Sequence, residues 1–172
     1  FRMVQGKTVL YSRRLNLKDG VITRHVCWEG RNGVEAEFFF ERFVSLADKH
    51  VIAARVRILP YHRNVKVKII SGINGRMTNS GTQHFHEVET RMHKEKMMEY
   101  HTVTGESKIH VLQYSGHRFA LNGSPIHPKK TPLIGQRYAA IKTEAEVPAG
   151  ESFVVDKILS LIHISEPTRR TP

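Results

Sequence analysis

At 172 residues the chain has room for one domain or for part of a larger one, and its 40% apolar and 25% charged residues suit a globular chain that buries a core. No apolar run approaches the ~20 residues of a membrane-crossing helix, so a membrane is not an expected partner. Lys and Arg outnumber Asp and Glu by 27 to 16, a net charge of +11. The cations are spread along strand-like runs (Arg13, Arg14, Arg24, Arg55, Arg57, Lys66, Lys68) without interleaved aromatics, which argues against nucleic acid.

Cys27 is the single cysteine. No disulfide can form within the chain, which fits a reducing cytoplasm, and Cys27 reads as a small apolar residue beside Trp28. The start, Phe1-Arg2-Met3, lacks the charged-then-apolar pattern of a secretory signal, and the reading frame is expected to extend upstream.

Thr8 to Leu17 alternates weakly and reads as a strand. Lys18-Asp19-Gly20 is a hairpin signal before the next run, Val21 to Glu29. That run places Val21, Thr23, His25 and Cys27 on one face and Ile22, Arg24, Val26 and Trp28 on the other. Gly30-Arg31-Asn32-Gly33 turns the chain into a strand from Val34 to Ser45. A polar corner, Ala47-Asp48-Lys49-His50, leads to Val51–Leu59, where Arg55 and Arg57 oppose Val56 and Ile58. Pro60 ends this strand by removing a ladder donor.

Val65 to Ile70 is a half-buried strand. Ser71 to Gly81 reads as a loop rich in Gly and Asn, suited to positive φ and close backbone approach. Gln83 to Thr104 is a long excursion, partly strand, with Met97 to Val103 returning to the sheet. Ser107–His117 is a further strand, Asn122-Gly123-Ser124-Pro125 a turn and His127–Thr131 a polar loop. Gln136–Glu146 and Ser152–Ile158 complete the set. About ten strands with frequent turn signals imply an all-β fold, part of a large antiparallel β-sandwich.

From Leu159 to Arg169 the sequence LSLIHISEPTR resembles the translation of a transposase sequencing adapter. The native domain is therefore expected over residues 1–158, with 159–172 an artefact whose apolar residues have nothing local to pack on. Without that tail the balance is 25 basic to 15 acidic residues, still +10.

Several constellations could carry chemistry. His84-x-His86 has a metal-compatible spacing but no third ligand. Ser45, Asp48 and His50 could mimic a hydrolase triad, yet no G-x-S-x-G elbow is present and they fit a corner better. Glu35 with Glu41 is an unremarkable strand pair, and Gly72-x-x-Gly75 lacks the helix start of a phosphate loop. Trp28 and Tyr61 could stack on a sugar, although a lone Trp in a meander usually belongs to the core.

Arg14–Arg24, Glu41–Asp48, Ser71–Gly75 with Thr78-Asn79, Thr104–Ile109 and Pro148–Ser152 together resemble the N-terminal domain of glycoside hydrolase family sixty-five. The resemblance runs in order from about Arg13 to Ile158. It implies a large β-sandwich joined to an (α/α)6 barrel, in an inverting phosphorylase that splits an α-linked glucose disaccharide with phosphate to β-glucose 1-phosphate and a free sugar. Catalytic glutamate and phosphate pocket would lie in the barrel. The chain itself is therefore expected to be inactive, with no catalytic, metal-binding or cofactor-binding residue, and with phosphate as co-substrate of the complete enzyme. The complete enzyme is expected to be a homo-oligomer. Within the chain the loop Ile73–Gly81, with Arg76 and Asn79, is the candidate to reach substrate. The competing reading is a stand-alone carbohydrate-binding β-sandwich using Trp28 or Tyr61.

Overall fold

The computed structural model describes residues 6–93 and 97–164. Among them are twelve strands and no helix: β1 (Gly6–Asn16), β2 (Val21–Gly30), β3 (Glu35–Val44), β4 (Val51–Pro60), β5 (Val65–Asn74), β6 (Phe85–His93), β7 (Met97–Thr104), β8 (His110–Leu121), β9 (Ser124–Ile126), β10 (Thr131–Gly135), β11 (Tyr138–Val147) and β12 (Phe153–Ile164). They form two antiparallel sheets. The larger runs β1-β2-β3-β4-β12-β8-β7-β6, with β9 added beside β8, and the smaller runs β10-β11-β5. The all-β sandwich expected from the sequence is present.

The meander β1 to β4 follows from turn chemistry. Asn16 pairs with Val21 across Leu17–Gly20, the Asn16 side-chain oxygen accepts the Lys18 N–H at 3.0 Å, and Gly20 takes φ +66°. In the next turn the Gly30 N–H donates to Val34 at 2.7 Å, which sets the β2–β3 register with Cys27 opposite Glu37 and His25 opposite Phe39. At the third, the Ser45 hydroxyl accepts the Asp48 N–H at 2.9 Å and the Asp48 carboxylate accepts the His50 N–H at 3.0 Å. These residues build the corner, as their sequence suggested.

Alternation fixes which face is buried. The main core joins Val26, Phe38, Ile58, Phe119, Phe153 and Val155 of the large sheet to Ile141 and Val147 of the small one, with Val65, Val67 and Ile69 packed against it. Phe153 has no exposed surface, a burial that contributes about 1.5–3 kcal/mol. A second cluster of Ile73, Met98, Tyr100 and Ala139 extends this interior toward β7. Two polar contacts also cross between the sheets: Lys157 Nζ donates to the Gly72 carbonyl at 2.6 Å, and His117 Nε2 lies 2.8 Å from the Ser71 hydroxyl.

Several boundaries differ from the sequence reading. β5 continues through Ser71–Asn74, where a loop was expected, because Gly72 serves a close approach: a Cβ there would lie 2.1 Å from the Ala139 carbonyl oxygen. β9 overlaps the segment read as a turn at Ser124 and Pro125, and β10 starts at Thr131, the last residue of the segment read as a loop. β9 follows a two-residue turn in which Asn122 and Gly123 take φ +48° and +83°, and β10 accommodates Pro132 because it is an edge strand. β12 runs past Ile158 to Ile164, pairing Leu159 with Ser115 and with Ile52. Leu159 packs on the Ile73–Tyr100 cluster, so the expectation that this segment finds no packing partner does not hold for that residue.

Candidate functional site

The loop carrying Arg76 and Asn79 is a closed hairpin at the end of β5. Asn79 and Thr82 exchange both backbone hydrogen bonds, at 3.0 and 2.9 Å, around Ser80 and Gly81, which take φ +49° and +81°. That geometry is a primed two-residue turn, which explains Gly at position 81. Gly75 at its base has a different reason: a Cβ there would meet the Tyr100 hydroxyl at 2.1 Å. Arg76 is tied back rather than free. Its Nε donates to the Gln136 carbonyl at 2.9 Å, and its guanidinium lies 5.5 Å from the Tyr138 ring centroid. Asn79 and Met77 are exposed at the tip. Ile73 and Asn74 belong to β5 instead, Ile73 being buried, so the presenting segment begins at Gly75.

Trp28 packs edge-on to Phe38 against the main core, and Tyr61 is held by its N–H to the Glu35 carbonyl at 3.0 Å. The Tyr61 hydroxyl bonds Glu37, and burial together with that carboxylate pushes its pKa up. Both rings are half-buried. His84 and His86 join no metal-capable group among the described residues.

The structure gathers a different set, His25, Cys27 and Glu37, on the outward face of β2 and β3. The Cys27 thiol lies 3.6 Å from Glu37 Oε1 and 3.7 Å from His25 Nε2, and His25 Nε2 lies 3.5 Å from Glu37 Oε1. Burial and the Glu37 carboxylate push the thiol up. Glu37 is itself lowered: burial pulls it upward, but hydrogen bonds from Tyr61 and Cys27 and the nearby His25 prevail. Cys27 is thus half-buried in a polar cluster rather than an apolar core residue. The sequence held the signal, since His25 and Cys27 were already on one strand face and the Gly30–Gly33 turn fixes Glu37 opposite.

Between the sheets, burial lowers His117 to about 4, reinforced by Lys157 and Lys130, and burial also lowers Lys157.

The profile of the glycosyl hydrolase family 65 N-terminal domain matches residues 1–171. The chain belongs to that family. A kojibiose phosphorylase of Halothermothrix orenii is 36% identical over 157 residues, 91% of this chain and 20% of the relative. An alpha,alpha-trehalose phosphorylase of Thermoanaerobacter brockii is 34% identical over 79 residues, 46% of this chain and 10% of that protein. A solved structure of a human-microbiome protein bearing a provisional kojibiose phosphorylase name superposes with a TM-score of 0.82 over 92% of this chain and 20% of its own, at 11% identity. That likeness shows the fold of this family 65 domain. The chain spans a fifth or less of the length of the kojibiose phosphorylases it matches.

Proposed function

We propose that this family 65 domain is the non-catalytic N-terminal portion of an inverting disaccharide phosphorylase. The observation that carries the reading is the 36% identity to a kojibiose phosphorylase across 91% of the chain. In the complete enzyme a carboxylic acid protonates the glycosidic oxygen while phosphate attacks the anomeric carbon from the opposite face. The C–O bond to the leaving sugar breaks, a C–O bond to phosphate forms, and β-glucose 1-phosphate and a free sugar result. Phosphate is already an anionic nucleophile, so the site needs cationic or hydroxyl groups around it rather than a base carboxylate.

The domain's part in this is to pack on a catalytic barrel and to present the Gly75–Thr82 hairpin, with Arg76 and Asn79, toward the mouth of the site. Residues 159–172 are proposed to be adapter-derived, replacing a native continuation that would occupy the same pairing lane beside β8.

Recovering the source DNA on both sides of the frame tests the proposal. A frame that continues past Ile158 into linker helices and a helical barrel is expected. The complete protein should release glucose 1-phosphate from an α-linked glucose disaccharide only when phosphate is present. A genuine stop codon directly after the last strand would overturn the enzyme reading in favour of a free-standing sandwich.

A further inference from the structure

The cluster on the outer face of β2 and β3 has the donor set and the spacing of a metal site. A tetrahedral zinc ion with bonds of about 2.0–2.1 Å to nitrogen and oxygen and about 2.3 Å to sulfur holds its ligand atoms about 3.3–3.6 Å apart. His25 Nε2, Cys27 Sγ and Glu37 Oε1 stand 3.5, 3.6 and 3.7 Å from one another. The three atoms thus already form one triangular face at nearly the required edge lengths.

The surroundings fix the ligands in place. The His25 ring stacks on Phe39 with centroids 4.2 Å apart and planes 8° from parallel, and the Arg57 guanidinium covers the other ring partner at 3.9 Å from the Phe39 centroid. That stack holds the imidazole plane so that Nε2 aims at Cys27 and Glu37. The Tyr61 hydroxyl interacts with Glu37, an outer contact of the kind that orients a carboxylate ligand. The His25 and Glu37 side chains are 29% and 20% exposed, so an ion can enter from solvent.

We propose that His25, Cys27 and Glu37 form a zinc site with three protein ligands and one water. Thiolate and imidazole favour zinc over magnesium or calcium, and one thiolate with one carboxylate neutralises a dication. Binding releases the thiol proton: Zn²⁺ and the protonated Cys27 give the zinc thiolate and H⁺. The ion would brace β2 against β3 on the face away from the core.

The test uses the 172-residue chain, titrated with zinc by calorimetry and with cobalt(II) by absorption spectroscopy. One equivalent should bind with a dissociation constant below about 10 µM, tightening as pH rises. The cobalt form should show a thiolate-to-metal charge-transfer band. Cys27→Ser and Glu37→Gln, each near-isosteric and checked for folding by circular dichroism, should weaken binding at least about tenfold, and Cys27→Ser should abolish the band. The double variant His84→Ala/His86→Ala should leave both readouts unchanged. Absence of zinc binding by the folded chain, undiminished binding in Cys27→Ser, or its loss in the His84/His86 variant would overturn the proposal.

Discussion

At His117 burial and two ammonium groups act in the same direction. The ring is enclosed between the sheets, with Lys157 and Lys130 nearby, and its pKa falls from 6.5 to about 4. Above pH 6.5 the imidazole is neutral in both folded and unfolded chains, and its contribution is fully present. Between 6.5 and about 4 the unfolded chain takes up a proton that the folded chain resists, so stability falls with pH; below about 4 the loss levels off. The size of this effect is up to about 3 kcal/mol. Urea midpoints measured at pH 7, 5.5 and 4 should therefore fall more steeply in the parent than in His117→Gln, which keeps a polar partner for Ser71 but cannot titrate. Parallel pH profiles would remove His117 from the account. None of this was visible in the sequence, where His117 was one of 11 histidines. Burial depends on the second sheet landing over β8, and strand periodicity alone does not say where that sheet lands.

Among the elements, those bounded by local chemistry were the readable ones. The strands β1 to β4 and their turns follow from Asp19-Gly20, Gly30–Gly33 and the Ser45–His50 corner, because each is closed by its own side chains and backbone. The sequence pattern ends β5 at Ile70, whereas Gly72 serves as a close-approach residue rather than a breaker, a distinction made by Ala139 some sixty-odd residues away in the chain. Short β9 and β10 lack a periodic signal long enough to register. The Gly75–Thr82 hairpin was legible as a loop but not as a closed one, and closure changes the expectation for Arg76. Arg76→Ala removes the bond to Gln136 and the packing over Tyr138. In the complete enzyme it should therefore lower sugar affinity several-fold, with a loss of stability of about 1 kcal/mol or less. Unchanged KM and kcat would eliminate the hairpin as a substrate-reaching element.

For the whole molecule, a long sheet is only partly covered. β1 is exposed along its length and lies at the sheet margin, with Val9 and Leu15 at 64% and 56% exposure, and Phe43, Val44 and Leu46 at the nearby corner are exposed as well. A margin of this kind, with exposed apolar side chains among the described residues, is a template for another chain. The 172-residue chain should self-associate as concentration rises. Light scattering after size exclusion checks this, and a monomer across about 1–100 µM, where weak edge contacts of this affinity would form, would contradict it. The fold class was legible because twelve strands leave a strong cumulative pattern, but the division into a long and a short sheet was not, since β5 crosses to β11 without any local cue. The hydrogen bond from Lys157 to Gly72 and the one between His117 and Ser71 give that division a mechanical meaning. An apolar interface tolerates sliding, since its energy depends on area rather than direction; directional bonds do not. Both are anchored on adjacent residues of β5, three and four positions before the hairpin starts at Gly75. They act as locating pins, so the large sheet dictates where the hairpin tip points, and loosening either pin should blur that aim before it melts the fold.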